Sequence, residues 1–181
     1  MPAPEEKLTR SRVGIFVLTA GTVLVADLIS KVTVVAHLET SAPVRLLGGA
    51  VYFDVARNSG AAFSLGTGMT IVLTVIAVVV TGVIVRVAGR LRSRGWAVAL
   101  GLVLGGALGN LVDRLFRQPG VGRGHVVDWI SVFGPNGVHY PIFNLADSAI
   151  VCGGILAVFL VLRGIDLEGR RSTSEQHATD G

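Results

Sequence analysis

The chain has 181 residues, of which 51% are hydrophobic and only 15% charged, and its mean hydropathy is +0.66. This composition excludes an ordinary soluble domain of this length and indicates a membrane protein. The net charge of +4 does not indicate a surface for nucleic acid, because the chain has two tyrosines and no basic residues interleaved with aromatic ones.

Four apolar runs predict four membrane-spanning helices, at about residues 13–29, 69–85, 96–112 and 142–162. The first three runs have 17 residues each and the fourth has 21, near the roughly 20 residues with which a helix crosses the hydrocarbon core. Basic residues precede the first run, as they do in a signal peptide. We interpret this run as a span, because it carries Asp27 and Lys31 at its far end and three similar runs follow it.

The distribution of basic residues predicts how the spans are oriented. The N-terminal arm, the 86–95 loop and the C-terminal region hold ten of the sixteen Lys and Arg residues, and short segments rich in these residues face the cytoplasm. We therefore predict a cytoplasmic arm over 1–12, one four-helix membrane domain over 13–165 and a disordered cytoplasmic tail over 166–181. Residues 31–68 and 113–141 are predicted to face outward.

The two outward segments have patterns of their own. Residues 43–64 contain β-branched and aromatic residues in partial alternation, interrupted by glycines, which predicts short strands in a small extramembrane patch. Residues 126–133 are mostly apolar, and Trp129 suits the interface, so this segment is predicted to lie on the membrane surface. Cys152, the single cysteine, is interpreted as a small packing residue of the fourth span.

Polar residues gather at the outward ends of the spans: Asp27, Lys31, Asn110, Asp113, Arg114, Asn144 and Asp147. Their convergence at one depth predicts a shared site. Simpler roles stay open for most of them. The four-residue spacing of Asp27 and Lys31 allows an ion pair that only anchors a helix end. The three polar residues at 110, 113 and 114 can be a helix cap, and Asn58 can be a turn residue.

Asp147 resists such a simple role, because it lies inside an apolar run with no basic residue within one helical turn. A carboxylate at that depth costs about 3 kcal/mol or more, so it predicts a function and a partner. Two carboxylates brought together at low dielectric do not both ionise, and such a pair can perform acid–base chemistry on a water and an amide. Asp113 and Asp128 are both candidate partners. The adjacent Arg114 would keep Asp113 ionised and so make it a poor proton donor, which favours Asp128.

Two other classes of protein are compatible with an intramembrane acid. A proton-coupled transporter would use Asp147 as a relay, but it predicts polar residues at mid-depth, whereas the inner halves of the four spans are apolar. A non-enzymatic scaffold predicts that Asp128 and Asp147 can be replaced without loss of function. The sequence contains neither the zinc motif His-Glu-x-x-His nor the serine motif Gly-x-Ser-x-Gly.

Five stretches, in this order along the chain, resemble the lipoprotein signal peptidases, also called type II signal peptidases. They are VADLISK in the first span, NSGAAFS in the first outward segment, GGALGNLVDR at the end of the third span, GHVVDWI in the second outward segment and FNLADSAI in the fourth span. One stretch, FRQPGVGRG before His125, looks longer than the family pattern.

The resemblance implies an all-α membrane protein of four transmembrane helices, with a small extracytoplasmic β-like cradle and an interfacial helix. It implies an aspartic protease of the bacterial inner membrane that cuts prolipoproteins just before a diacylglyceryl-modified cysteine. The catalytic pair then falls on Asp128 and Asp147. The residues that line the site are Asn58, Gly106, Asn110, Arg114 and Asn144, and the structural pair is Asp27 with Lys31.

The resemblance also implies partners and a location. The partners are lipid-modified prolipoproteins and membrane phospholipid, with no nucleic acid, and the protein is expected to be a monomer. No metal or organic cofactor is expected. Both termini are expected in the cytoplasm and the active site near the extracytoplasmic leaflet.

Overall fold

The computed structural model describes residues 11–60 and 68–170, which form four long helices and one small sheet. The helices are α1 (Val13–Leu38), α2 (Gly68–Ala88), α3 (Arg94–Phe116) and α4 (Leu145–Leu162). All four are long and apolar enough to cross a membrane. The predicted fold class, a mostly helical multi-pass membrane protein with a small β element, is confirmed.

The sheet has three antiparallel strands in the order β1 (Val44–Leu46), β2 (Val51–Asn58) and β3 (Val126–Val132). The first two confirm the strands predicted within residues 43–64, of which 61–64 lie outside the described residues. A short 3₁₀ turn, Leu47–Gly49, joins them. Strand β3 pairs with β2 so that Ala56 lies opposite Asp128.

The placement of residues 126–133 on the membrane surface was wrong. This segment is mainly strand β3, and Val126, Val127 and Trp129 are buried within the protein. The Trp129 ring packs edge-on against Phe53, with the ring centroids 5.0 Å apart. Within residues 11–60 and 68–170, the helical segments are α1 to α4 and two short 3₁₀ turns, so the interfacial helix that the resemblance implies is not found there.

Two helix boundaries differ from the apolar runs. Helix α1 continues to Leu38 rather than ending near residue 29, and Asp27 and Lys31 are fully buried in its interior. Helix α4 begins at Leu145 rather than 142, because Phe143 forms a bridge with Ile130 of β3.

Helix α3 lies at the centre of the bundle, with the other three helices packed against it. Small residues allow the close contacts. A Cβ atom on Gly105 would lie 2.7 Å from the Val23 Cβ of α1, and one on Gly153 of α4 would lie 2.7 Å from the carbonyl oxygen of Ala99. The backbones therefore approach too closely for any side chain at these two positions.

The helix ends opposite the sheet are tied together by the chain that follows α4. The backbone N–H groups of Arg92 and Ser93 both donate to the Leu167 carbonyl, and Trp96 Nε1 donates to the Ile165 carbonyl at 2.8 Å. Residues 166–170 were predicted as part of a disordered tail, but they are ordered. The Leu167 carbonyl in this segment accepts the two N–H groups that precede α3 and so holds the segment in place. Residues 1–10 and 171–181 of the predicted arm and tail lie outside the described residues.

Candidate active site

The sheet holds Asp128 beside the first turn of α4. The backbone N–H groups of Trp129 and Ile130 donate to the Phe143 carbonyl at 3.0 and 2.8 Å, and the Phe143 N–H donates to the Ile130 carbonyl at 3.0 Å. These hydrogen bonds hold β3 next to the residues that precede α4. Asp128 and Asn144, which are directly adjacent in the chain to the bonded residues, therefore come into contact.

Asn144 connects the two aspartates. Its Nδ2 donates to Asp128 Oδ1 at 2.7 Å, and its Oδ1 accepts the N–H of Asp147 at 2.9 Å. The Asn144 N–H in turn donates to Asp147 Oδ2 at 3.2 Å, so the two residues form a capping box at the start of α4. One fully buried asparagine therefore contacts both predicted catalytic carboxylates.

Two further asparagines contact the remaining carboxylate oxygens. Asn58 Nδ2 donates to Asp128 Oδ2 at 2.8 Å, and Asn110 Nδ2 donates to Asp147 Oδ1 at 2.8 Å. Asn58 is held by the N–H of Gly60, which donates to its Oδ1 at 2.7 Å. Each of the four carboxylate oxygens thus accepts a hydrogen bond, and the structure brings together five of the sequence-predicted site residues.

The two aspartates have different surroundings. Asp128 lies in a strand with 2% of its surface exposed, and burial raises the pKa of its carboxyl to about 7. The hydrogen bond from Asn58 opposes this rise in pKa, and the negative charge of Asp147 adds to it. Asp147 is half-buried in the first turn of α4, where the helix N-terminus favours a negative charge. The raised pKa thus makes Asp128 suited to carry a proton.

An ion cluster lies next to the aspartates. Lys31 Nζ is 2.7 Å from Asp27 Oδ2, the pair predicted from their spacing, and 3.0 Å from Asp113 Oδ2. Asp113 also pairs with Arg117 and accepts the N–H of Val127 at 3.1 Å. Its charged partners are therefore Lys31 and Arg117, and its carboxylate is occupied by structural contacts.

Two predicted site residues make no hydrogen bond with either aspartate. The Arg114 side chain forms no hydrogen bond or ion pair with residues 11–60 and 68–170, although it lies close enough to Asp147 and Asp128 to interact with their negative charges. Gly106 lies where α3 approaches α4. A Cβ there would lie 2.8 Å from Ile150 Cγ1 and would also clash with the Ala146 carbonyl oxygen. Because Gly106 has no side chain, α3 and α4 can approach closely at Ala146, the residue before Asp147.

The sequence reasoning missed two contributors to this region. Arg117 pairs with Asp113, and the i, i+4 spacing of these residues was a signal that could have found it. Gly109 makes room for the ion cluster, since a Cβ there would lie 2.5 Å from Asp27 Oδ2. Within the described part of the chain, no group of three or more His, Cys, Asp or Glu residues is placed to hold a metal ion.

Residues 19–163 match the family model described as signal peptidase (SPase) II. The chain belongs to the signal peptidase II family. Curated relatives of this chain carry the name lipoprotein signal peptidase. One, from Rhodococcus jostii (strain RHA1), is 51% identical over 174 residues, covering 96% of this chain and 85% of the relative. Another, from Mycobacterium avium (strain 104), is 47% identical over 176 residues, covering 96% and 93%.

A solved structure has the same fold as this member of the signal peptidase II family. It is a bacterial membrane enzyme determined by the in meso method at 1.9 Å resolution, with a TM-score of 0.73, 26% sequence identity, and coverage of 86% of this chain and 97% of that one. Membership of the family makes the chain a peptidase of the membrane. It therefore disfavours the transporter and scaffold interpretations of Asp147.

Proposed function

We propose that the chain is an aspartic endopeptidase that removes signal peptides from prolipoproteins, cutting just before the diacylglyceryl-modified cysteine. The observation that carries this proposal is the pair of carboxylates, Asp128 and Asp147, joined through the side chain and N–H of Asn144. The curated relatives are named lipoprotein signal peptidases, which supports the choice of substrate.

Hydrolysis by this pair needs no covalent intermediate. In the first step Asp147 accepts a proton from a water molecule, whose oxygen bonds to the carbonyl carbon, while protonated Asp128 donates its proton to the carbonyl oxygen. In the second step Asp147 returns its proton to the amide nitrogen, the C–N bond breaks, and Asp128 recovers a proton from the hydroxyl of the intermediate. Both aspartates end in their starting forms.

The remaining site residues have supporting roles in this proposal. Asn58 and Asn144 hold the carboxyl of Asp128, and Asn110 holds that of Asp147. Arg114, whose guanidinium has no ion-pair partner within the described part of the chain, is proposed to contact the carbonyl groups of the substrate backbone. Gly106 lets α4 approach α3 closely enough for these contacts.

The proposed location is the bacterial inner membrane, with the sheet and the aspartates on the extracytoplasmic side and both termini in the cytoplasm. The charge distribution supports this orientation, because ten of the sixteen basic residues lie in the segments assigned to the cytoplasm.

The lipid chains of the substrate would lie in the bilayer against the apolar faces of the helices. Val75 and Val79 of α2, and Val151 and Ile155 of α4, are all more than half exposed.

A cleavage assay tests the proposal directly. The purified protein in detergent is incubated with a synthetic precursor peptide that carries diacylglyceryl on its cysteine, and mass spectrometry identifies the new N-terminus. We expect cleavage just before the lipidated cysteine, no cleavage of the same peptide without lipid, and no cleavage by Asp128→Asn or Asp147→Asn. Glu168→Gln, at the opposite end of the helices, is the matched control and should cleave normally. A folded Asp128→Asn or Asp147→Asn enzyme that still cuts the lipidated peptide would refute the proposal.

A further inference from the structure

Lys31 is the centre of a buried network that reaches both aspartates. Its side chain is fully buried, and its Nζ lies 2.7 Å from Asp27, 3.0 Å from Asp113 and 3.0 Å from Asn110 Oδ1. An ammonium group only donates, so the three oxygens that face it are two carboxylate oxygens in ion pairs and one amide oxygen in a hydrogen bond. One carboxylate already balances the single charge of the ammonium group. The contact with a neutral amide therefore has another consequence.

That consequence is the orientation of the Asn110 side chain. Because Lys31 only donates, the amide oxygen of Asn110 must face it, and the same oxygen accepts from Asn144 Nδ2 at 3.1 Å. The amide nitrogen is thereby directed to Asp147 Oδ1, at 2.8 Å. If the Asn110 amide turned over, its N–H groups would face the ammonium and its oxygen would face the carboxylate, which is unfavourable on both sides.

The two carboxylates paired with Lys31 hold the backbone next to the aspartates. Asp27 Oδ1 accepts the N–H of Ala146 at 3.0 Å, and Ala146 immediately precedes Asp147. Asp113 Oδ2 accepts the N–H of Val127 at 3.1 Å, and Val127 immediately precedes Asp128. Lys31 lies between these two carboxylates and so links the segment that carries one aspartate to the segment that carries the other.

We propose that Lys31 is a positioning residue for the peptidase reaction, beyond its ion pair with Asp27. It orients the amide that donates to Asp147, and through its two carboxylate partners it sets the spacing of Asp147 and Asp128. This role rests on the proposed function of the two aspartates as the catalytic pair.

Two double variants separate this role from the general stability of α1. Both carry Asp27→Asn, which keeps an oxygen for the Ala146 N–H, and they differ only in Lys31→Met against Lys31→Gln. Position 31 is uncharged in both, but only the glutamine variant can still donate to Asn110. We expect kcat of the methionine variant to be about 10- to 100-fold below that of the glutamine variant, with KM unchanged.

The pH profile supplies a readout that a purely structural role would not change. Without a donor at position 31, the Asn110 amide can turn and present its oxygen as an acceptor for a proton on Asp147. The acid limb of the kcat profile should therefore move to higher pH in the methionine variant and less in the glutamine variant. Adding Asn110→Ala should cost less kcat in the methionine background than in the glutamine background, because the contact is already lost.

Folding is checked by the thermal midpoint and the yield of monodisperse protein. Equal kcat values and superimposable pH profiles in the two double variants overturn the proposal. If only the methionine variant fails to fold, a double-mutant cycle of Lys31→Gln and Asn110→Ala in the Asp27→Asn background replaces it. Additive losses of kcat in this cycle refute the positioning role, and non-additive losses support it. If neither double variant folds while Asp27→Asn alone does, Lys31 serves the fold and the positioning role is rejected.

The same assay separates this proposal from the proposed function. Cleavage by Asp128→Asn or Asp147→Asn refutes the catalytic pair, whatever the Lys31 variants do. When both of those variants are inactive, equal kcat values in the methionine and glutamine double variants refute only the positioning role of Lys31 and leave the catalytic pair in place.

Discussion

Asp128→Asn should make the protein progressively more stable relative to the wild type as pH rises from 4 to 8. Burial raises the pKa of Asp128 from 3.8 to about 7 in the folded protein. The proton on Asp128 therefore contributes stability that is fully present below the unfolded-state pKa and is lost as pH rises through about 7. This difference in pKa corresponds to roughly 4 kcal/mol of unfolding free energy lost by the wild type between pH 4 and pH 8.

The asparagine variant escapes this loss because it never ionises. At pH 4 the protonated carboxyl and the amide have the same shape, but the amide NH2 group cannot accept the hydrogen bond that Asn58 or Asn144 donates to it. The variant should therefore be less stable than the wild type at pH 4, by about 1 to 2 kcal/mol. Between pH 4 and pH 8 the variant should gain up to about 4 kcal/mol relative to the wild type, a relative rise in unfolding midpoint of roughly 10 °C for a chain of this size.

Thermal unfolding in detergent from pH 4 to pH 9, followed by the fluorescence of Trp129 and Trp96, measures the difference. Glu168→Gln, which removes a carboxylate at the opposite end of the helices, should follow the wild type across the whole range. A midpoint difference between Asp128→Asn and the wild type that does not grow with pH would refute the assignment of a raised pKa to Asp128.

Three other results are expected. Cleavage by the wild type should fall as pH rises through about 7, because Asp128 then loses the proton it donates; constant kcat from pH 7 to pH 9 would contradict its role as the acid. Asp113→Asn should cleave the lipidated precursor slowly but measurably, because an amide oxygen at this position still accepts the backbone N–H before Asp128; a folded variant with no cleavage would place Asp113 in the chemistry. Leu47→Cys, at a position 81% exposed near the sheet, should react with an impermeant thiol reagent on intact cells in a Cys152→Ala background. Arg90→Cys in the same background should react only after the membrane is opened, and the reverse pattern would invert the topology.

The helices could be predicted from the sequence because an apolar segment in a bilayer must satisfy its backbone internally. Their ends could not be predicted as well. Hydropathy assigns Asp27 and Lys31 to the end of a span, although both are buried against α3 and the helix continues to Leu38. A polar residue that faces lipid and one that faces a protein interior have the same hydropathy, so only the packing distinguishes them.

Strand β3 shows a second limit of sequence patterns. Val126, Asp128 and Trp129 are all buried, although successive side chains of a strand point to opposite faces. A strand covered on both faces has no alternation and reads as a continuous apolar stretch. The sequence therefore indicated an interfacial segment where the chain in fact pairs with β2.

The candidate site was predictable in its members but not in its connections. The motifs placed Asn110 and Asn144 near the aspartates, and local spacing paired Asp27 with Lys31. The contact between Lys31 and Asn110 joins α1 to α3, residues 79 positions apart in the chain, and the contact between Asn144 and Asp128 joins the N-cap of α4 to β3. Such contacts depend on how the helices and the sheet pack together, which no local pattern records.

The acid within the fourth apolar run is tolerated because α4 begins only two residues before it. Asp147 lies in the first turn, near the positive end of the helix dipole, and each of its oxygens accepts a hydrogen bond. These contacts remove most of the cost of a carboxylate without partners in an apolar environment. The donors are Asn110 and the backbone of Asn144, and the Asn144 side chain also donates to Asp128. The hydrogen bonds that stabilise the charge of Asp147 are therefore the same ones that set the geometry of the two aspartates. An isosteric change such as Asp147→Asn can keep the capping box. It therefore separates the loss of a titrating proton from the loss of the fold.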